Sequence, residues 1–447
     1  MSEEQKSIRI IIAGAGIAGL ATAISLARIS SLQNLDIQLY EQAPELLEIG
    51  ASIALSPNGL RTLEKLGVHN SLDSEVGYRG PSGIPQIFRH WKTNQVLSVD
   101  THNKVDRGDH HTTRFHRAHL HAALLEHVPR ESIHLGKRLV RAEASKNGVS
   151  VFFEDGTSAQ GDVLIGADGI RSKVRQSFNP DYKLIFSGKV LMRSTFDTSL
   201  VEGKIPNLPA DSMHWLGPQD NFFASRLGKG QYTTVGGYRD PRPVEEIERT
   251  ISWDQPGNVE FLRERYKNWN PTVKALTELT PYTNLYPNFA GAALPTWVFN
   301  SRVTLVGDAA HAHGGYAAAG GSLALDDAFA LGLAFKGAFN PSSGVPKATD
   351  PIENALELYN RTRRPHANRL VNIVHDQIES EGPTYASAEE ADIAFRARVK
   401  DRASTEWLSE HDVEATFNEV YKQHEREGRS TNGDYSTQSK QLNSSKL

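Results

Sequence analysis

The chain contains no cysteine in 447 residues. That excludes a disulfide framework, cysteine-ligated zinc, thiolate-bound iron–sulfur clusters and thiol catalysis. No apolar run approaches the roughly 18 residues of a membrane-spanning helix. An excess of one charge is missing too. The 49 Lys+Arg and 53 Asp+Glu leave a net charge of −4, which gives no electrostatic footprint for nucleic acid or an anionic membrane. Met1 to Lys6 is polar and lacks the apolar core of a signal peptide. No internal repeat is visible. Aromatics at 8% and charged residues at 23% are an ordinary globular composition, and the length suits two or three domains.

Glycine, by contrast, sits where it carries information. Ser7-Ile-Arg-Ile-Ile-Ile-Ala13 is β-branched and apolar, as a buried parallel strand is. Gly14-Ala-Gly16-Ile-Ala-Gly19 follows, a G-x-G-x-x-G fingerprint. Gly14 allows a tight turn, Gly16 lets the backbone approach a pyrophosphate, and Gly19 lets the next helix pack close to the strand. Ile17, Leu20, Ala21 and Ile24 share one face of that helix. Its N-terminus offers free N–H groups and a positive dipole end to phosphates. Glu41 closes a second strand 22 residues after Gly19, where a carboxylate takes both ribose hydroxyls. The pattern predicts a dinucleotide site; the bland alternative is a βαβ unit that binds nothing.

Further along, Asn58 follows Pro57 and is placed to cap a helix reaching Gly67. Residues 76–100 break into short strand-like pieces around Gly80-Pro81 and Gly83, and Arg117 to His127 returns to helical spacing. Residues 183–240 alternate with a period near two, as in Lys189-Val-Leu-Met-Arg-Ser-Thr-Phe196 and Asn221-Phe-Phe-Ala-Ser-Arg226. This predicts an antiparallel sheet with one face available to cover a pocket. Residues 244–280 read as mainly helical, and Arg302 to Asp308 as another buried strand before a small-residue helix. Ser342 to Asp350 reads as a loop and Ile352 to about Glu379 as a long helix. Three glycine–acid turns therefore close strands: Gly14-Ala-Gly16 with Glu41, Gly166-Ala-Asp168-Gly169, and Gly307-Asp308. In a doubly wound sheet the strand C-termini converge on one crevice. One dinucleotide can then be held with Gly14 to Gly19 at the pyrophosphate, Glu41 and Asp308 at ribose oxygens, and Asp168-Gly169 lining the channel.

Gly14-Ala-Gly-Ile-Ala-Gly19-Leu, Gly166-Ala-Asp-Gly-Ile-Arg-Ser-Lys-Val-Arg175 and Gly307-Asp-Ala-Ala-His311, in this order, resemble the single-component FAD-dependent aromatic hydroxylases. These are of the salicylate hydroxylase, 6-hydroxynicotinate monooxygenase and para-hydroxybenzoate hydroxylase type. Gly50-Ala-Ser-Ile-Ala-Leu-Ser-Pro-Asn-Gly-Leu-Arg61, His116-Arg117-Ala-His-Leu120 and Tyr359-Asn-Arg-Thr-Arg-Arg364 support the resemblance, which runs from about residue 7 to 375. It implies an α/β fold: a Rossmann-like FAD-binding domain with an inserted antiparallel β-sheet substrate domain and C-terminal helices. The expected boundaries are 1–75, 105–180 and 295–380 for the FAD-binding domain, and 76–104 with 181–294 for the substrate domain. A helical segment at 381–425 and a tail at 426–447 follow. The resemblance implies that Gly14, Gly16, Gly19, Glu41, Ala54, Arg117, Asp168 and Asp308 bind non-covalent FAD. Gly320 and Gly321 would place a helix N-terminus against the flavin pyrimidine edge. No second fingerprint follows another strand, so NADH or NADPH is expected to dock transiently near Asp168-Gly169, with Arg171 and Arg175 as helpers.

The third motif departs from the family pattern. Where the family continues with prolines and Gly-Gln-Gly, this chain has His311-Ala-His313-Gly-Gly-Tyr316-Ala-Ala-Ala-Gly320-Gly321-Ser322. His313 and Tyr316 become the only large groups near that face. His311-Ala-His313 is not expected to bind a metal, because no further ligand clusters nearby. The resemblance implies that NAD(P)H and O2 drive hydroxylation of an electron-rich ring, a phenolate or hydroxypyridine. His313, Tyr316, His214 and Tyr238 are candidates for a base that takes the ring hydroxyl proton. Arg193 and Arg226 are candidates to hold a substrate carboxylate. The favoured substrate is a hydroxylated aromatic or pyridine carboxylate, with loss of CO2 where the carboxylate sits on the attacked carbon. The alternatives are a larger phenolic or alkaloid-like metabolite, and a FAD-binding redox module that no longer hydroxylates. Ser445-Lys446-Leu447 ends a polar tail expected to be disordered. It matches the address read by the peroxisomal import receptor, so a peroxisomal location is expected.

Overall fold

A computed structural model describes residues 7–46, 51–206, 208–341, 350–380 and 385–427. The expected loop at 342–349, the polar tail and its Ser445-Lys446-Leu447 ending lie outside the described residues. The strand Ile8–Ala13 is central to a six-stranded sheet. The order is Val298–Phe299, Val303–Leu305, Val163–Gly166, Ile8–Ala13, Leu35–Tyr40, Ile133–His134. All neighbours are parallel except the first pair. Parallel strands are covered on both faces, and Ile10, Ile11 and Ile12 are fully buried. The helices Ile17–Arg28 and Gly320–Phe339 pack on each other beside this sheet, and Gly320–Phe339 in turn carries the long helix Pro351–Glu379.

The alternating stretch builds an eight-stranded sheet that also recruits Ile87–His90 and Val96–Val99 at one edge. Its pairs are antiparallel apart from Met213–Leu216 with Ile87–His90. Alternation gives this sheet two unlike faces. Val190, Met192, Phe196, Phe222, Ala224, Tyr232 and Tyr238 point to one side. There they form a core with Leu262, Tyr266, Val273 and Leu276 of the helices Val259–Tyr266 and Pro271–Leu279. The other side faces a small sheet of Ser52–Leu55, Thr113–His116 and Gly77–Tyr78. A hydrogen bond from Thr233 Oγ1 to Ser52 Oγ at 3.3 Å joins the two sheets.

The helix after Asn58 differs from expectation. Ser56 is its N-cap and Pro57 its first residue, where a missing N–H leaves nothing unpaired. Asn58 is instead buried and donates to Asp326 at 2.8 Å, while Thr62 donates to the other Asp326 oxygen at 2.8 Å. The next residue, Asp327, has no solvent exposure. It accepts from Gly307 N at 2.9 Å and Arg363 Nε at 2.9 Å, and lies 2.6 Å from His311 Nε2. Burial by itself would raise the Asp327 carboxyl, but His311 and Arg363 overcome that and hold it below its ordinary value.

Asp327→Asn removes the carboxylate that pairs directly with buried Arg363, which costs on the order of 3–5 kcal/mol even with Asp326 nearby. The expected result in chemical denaturation is a lower midpoint with unchanged slope. The wild-type contribution is complete above the unfolded aspartate value of about 3.9 and is lost as pH falls towards the lower folded value. The variant should therefore lose this part of the acid limb.

Candidate active site

Three strand ends meet at the crevice. Gly14 N donates to Tyr40 O, Ala167 N to Ala13 O, and Val306 N to Gly166 O, at 2.8, 2.8 and 2.9 Å. Gly14 has φ +101, and a Cβ on it would lie 2.6 Å from Ala167 O. A Cβ on Gly19 would lie 2.0 Å from Gly14 O. Both glycines are demanded by the protein's own packing. Gly16 is different: its backbone is extended at φ −73, and a Cβ there would meet nothing within 4 Å. It is the N-cap of Ile17–Arg28, and no side chain caps that helix. An open space in front of uncapped N–H groups is what a pyrophosphate needs.

Glu41 stands beside that space. Its two oxygens accept from Ala15 N at 2.8 Å and Ala43 N at 2.9 Å, and each oxygen keeps a lone pair for a ribose hydroxyl. Asp308 is exposed at the turn Gly307–Ala309. Its Oδ1 would lie 3.7 Å from a Cβ on Gly320, so it stands next to the uncapped N-terminus of Gly320–Phe339. Gly321 packs on Ile53 and Leu55 of the strand that carries Ala54. Arg117 begins the helix Arg117–Leu125 and its N–H donates to Ala51 O at 2.9 Å. The set Gly14, Gly16, Gly19, Glu41, Ala54, Arg117, Asp308, Gly320 and Gly321 thus surrounds one crevice, and its donor chemistry fits FAD.

Other candidates are placed differently. Asp168 takes hydrogen bonds from Ser172 Oγ, Lys173 N and Val174 N at 2.5, 2.7 and 3.0 Å. These bonds hold the short helix Lys173–Phe178, and Oδ1, with a single donor, keeps a lone pair for a ligand. Arg175, foreseen as a helper for the nicotinamide donor, is 1% exposed. It donates to Ala309 O at 2.8 Å and Asp308 O at 3.3 Å, and also to Ile170 O. It ties the second turn to the third. Arg171 is exposed and lies over the Phe289 ring at 5.2 Å.

The loop that lost its prolines places His313 inside the protein. His313 is 2% exposed, its ring runs parallel to His311 at 6.2 Å, and Gly291 N donates to Ala312 O at 2.7 Å. Burial lowers His313 to about 4, with Asp308 opposing the shift. Tyr316 packs, as Trp407 does, against the cluster Ala319, Leu323, Leu370 and Leu408, towards the C-terminal helices. Ala317 and Ala318 adopt φ of +51 and +53, a left-handed geometry that costs roughly 1–2 kcal/mol for each non-glycine residue. One expectation needs correcting: a third ligand does stand beside the two histidines. Asp308, His311 and His313 offer ligand atoms all within 4.8 Å of one another. Asp308 is the same carboxylate that borders the flavin crevice, and His311 is tied through Nε2 to Asp327.

The substrate sheet presents one cross-strand row towards the crevice side: Phe88, His214, Phe223, Val235, Arg193. At about 4.8 Å per strand, His214 and Arg193 are roughly 14 Å apart with an apolar floor between them. Arg193 makes no side-chain hydrogen bond among the described residues, and its Nε is buried without a partner. It lies 5.3 Å over the Tyr286 ring, and burial, opposed by Tyr286 and reinforced by Arg117, lowers its basicity. His214 is not a free base. Its Nδ1 meets the Gln86 amide and its Nε2 the Asn221 amide at 3.2 Å. Burial first, then Arg114 and Lys189, push it down to about 3.

Tyr238 and Arg226 are on the opposite side. Tyr238 meets Phe261 edge-on at 5.3 Å, and Arg226 pairs with Glu202 at 2.8 Å beside a separate surface cavity of about 530 Å³. Strand parity, invisible until the register is known, separates them from Arg193. The residue that sequence reasoning missed is Arg114, buried at 7% exposure between the two sheets. It lies in a short Thr-Arg-Phe-His strand with no motif to mark it.

A parallel sheet with an uncapped Gly16 helix, a ribose carboxylate and a second uncapped helix beside Asp308 defines a dinucleotide-binding enzyme with a substrate sheet across the crevice. Residues 7–374 match the family model described as an FAD binding domain, and the chain belongs to that family. It is 28% identical over 386 residues to the 6-hydroxynicotinate 3-monooxygenase of Pseudomonas fluorescens, covering 83% of this chain and 91% of that protein. A salicylate hydroxylase of Pseudomonas putida is 28% identical over 438 residues, covering 94% and 96%. Among solved structures, a salicylate hydroxylase substrate complex superposes with a TM-score of 0.74 at 22% identity, covering 93% of this chain and 98% of that one. The protein is a flavin-dependent monooxygenase of the aromatic hydroxylase type. Its cofactor is FAD, and NADH or NADPH is the co-substrate.

Two variants at the fingerprint should part company. Gly16→Val fits the extended backbone and the open space and gives up only a helix-cap preference of about 1 kcal/mol, so the melting temperature without FAD falls only slightly. Flavin affinity, read by fluorescence quenching, should fall at least about tenfold, or about 1.4 kcal/mol. Gly19→Ala should lower the melting temperature itself. A further variant tests His214. The unfolded histidine accepts a proton below about 6.5, whereas the folded one refuses it down to about 3. Stability therefore drops as pH falls from 6.5. His214→Gln should reduce the proton uptake on unfolding between pH 4 and 6 by about one.

Proposed function

We propose that this enzyme hydroxylates a phenolic or hydroxypyridine carboxylate at the carbon that bears the acid group. NAD(P)H, O2, the aromatic carboxylate anion and two protons become NAD(P)+, water, CO2 and the ring hydroxyl compound. The observation that carries this reading is Arg193. It is a guanidinium without a hydrogen-bond partner among the described residues, on the sheet face across from the crevice. An arginine so placed offers two N–H groups to a carboxylate or phenolate. The 6-hydroxynicotinate and salicylate enzymes named above support the same substrate class.

Bound FAD supplies the oxygen-transfer chemistry. The protein's part is to position and to exclude water. Glu41 and Asp308 offer carboxylate oxygens to hydroxyls of the cofactor, and the N-terminus of Gly320–Phe339 offers N–H groups where negative charge is held. Phe223 and Val235 make a dry floor for the ring, with 9% exposure each. Arg193 holds an oxygen anion of the substrate at one end of that floor. The Ser445-Lys446-Leu447 sequence supports a peroxisomal setting.

The test is NADH and NADPH oxidation by the FAD-loaded enzyme with salicylate, 6-hydroxynicotinate and their relatives, with CO2 and product measured. Turnover with CO2 release from at least one acid is expected. Full FAD loading with no stimulation by any acid would sink the reading. A fluorescent fusion should be punctate, and removal of the last three residues should make it diffuse.

A further inference from the structure

We propose that Arg114 forms a carboxylate subsite for the aromatic substrate, on the cofactor side of the gap between the two sheets. The inference rests on the aromatic-acid reading above and deepens it. Arg114 is a cross-strand partner of Ala54 in the strand that meets the Gly320 helix. Its Nε donates to Ser212 Oγ at 3.0 Å, and Ser212 Oγ lies 3.0 Å from Ser225 Oγ. Its Nη2 reaches only Pro85 O, at 3.4 Å. The guanidinium lies 4.9 Å over the ring of Phe223, the floor residue next to Val235.

Every one of these partners is neutral. Among the described residues no ion pair to Arg114 occurs and Nη1 has no acceptor. The contrast with the other buried arginines is informative. Arg363 faces Asp327 at 2.9 Å, and Arg175, held by backbone carbonyls of two turns, has the Asp168 and Asp308 carboxylates nearby. A buried cation with no counter-charge is unfavourable unless something else brings the charge. The surroundings make the deficit larger. His214 on the same face is neutral, Arg193 is two strands away, and Lys189 lies near Arg239 and Arg398. An aromatic acid seated on the sheet face beside Arg114, with its carboxylate on the guanidinium, supplies the missing negative charge. The positive rim favours the entry of anions.

The experiment compares salicylate, benzoate and salicylamide as ligands of the FAD-loaded protein, read by perturbation of the flavin spectrum. Benzoate carries the acid but no activating hydroxyl, so binding is separated from turnover. Wild type should bind both acids well ahead of the amide. Arg114→Gln should weaken the acids by at least roughly 30-fold and leave the amide within about threefold, with FAD content unchanged. Arg114→Lys should recover only part of the preference, because a point charge lacks the planar fork. Arg114→Met should keep or raise the melting temperature, since it removes an uncompensated charge; a structural arginine would lower it. An acid-over-amide preference that survives Arg114→Gln overturns the subsite, as does a wild type that binds acids and amide alike. If acids bind through Arg114 but none is turned over, the hydroxylation reading fails and the subsite stands.

Discussion

The buried Asp327 carboxylate is the interaction on which the rest depends. It joins the end of the strand Val303–Leu305, through Gly307 N, to His311 of the flavin loop and to Arg363 of the long helix. Asp326, one position earlier, turns to a different neighbour and fixes Asn58 and Thr62. Adjacent helix positions point about 100° apart, so two aspartates lock a helix to four separate segments. The consequence for the site is indirect. Because Asp327 and Arg175 secure the turn from inside, the carboxylate of Asp308 is left exposed at the crevice and needs no structural partner. The same anchoring lets the loop hold Ala317 and Ala318 in left-handed geometry.

Much of the cofactor side was legible because its signals are local. Gly14, Gly16, Gly19 and Glu41 lie within one strand–helix–strand unit, and turn geometry demands those residue types at those offsets. Asp308 followed by its helix is equally local. Asp168 shows the limit of such reading. An acid after a strand and before a helix is as well placed to accept helix N–H groups as to meet a ligand, and here it does the first without using up its acceptors. Asn58 shows a second limit. A capping residue beside a proline looks the same in sequence whether it caps or lies one residue inside, and the outcome was decided by Asp326, 268 positions away.

The substrate side was legible as a sheet but not as a surface. Period two says that half the residues face each way; it does not say which half. Arg193 and Tyr238 fall on opposite faces because Met192 and Tyr238 belong to the core under the helices, and Arg193 alternates with Met192. Arg114 escaped for another reason. What makes it unusual is the acid it lacks, and a missing partner is a property of three-dimensional surroundings rather than of any spacing.

None of the four side chains proposed from sequence as a base stands free on the substrate face. His214 has both nitrogens engaged, His313 is enclosed beside His311, Tyr316 turns to the C-terminal helices, and Tyr238 faces the other core. What the face offers instead is positive charge, on Arg193 and Arg114. Nearby cations favour the ionised form of a hydroxyl just as a proton acceptor does, and they do so more strongly where water is displaced. A phenol or hydroxypyridine brought between them would release its proton more readily to solvent on entry. A neutral, doubly hydrogen-bonded His214 then has a clear use. In the proposed pose it would wall the far end of the floor with a polar edge that stays uncharged, leaving alignment of the ring to the cations around it.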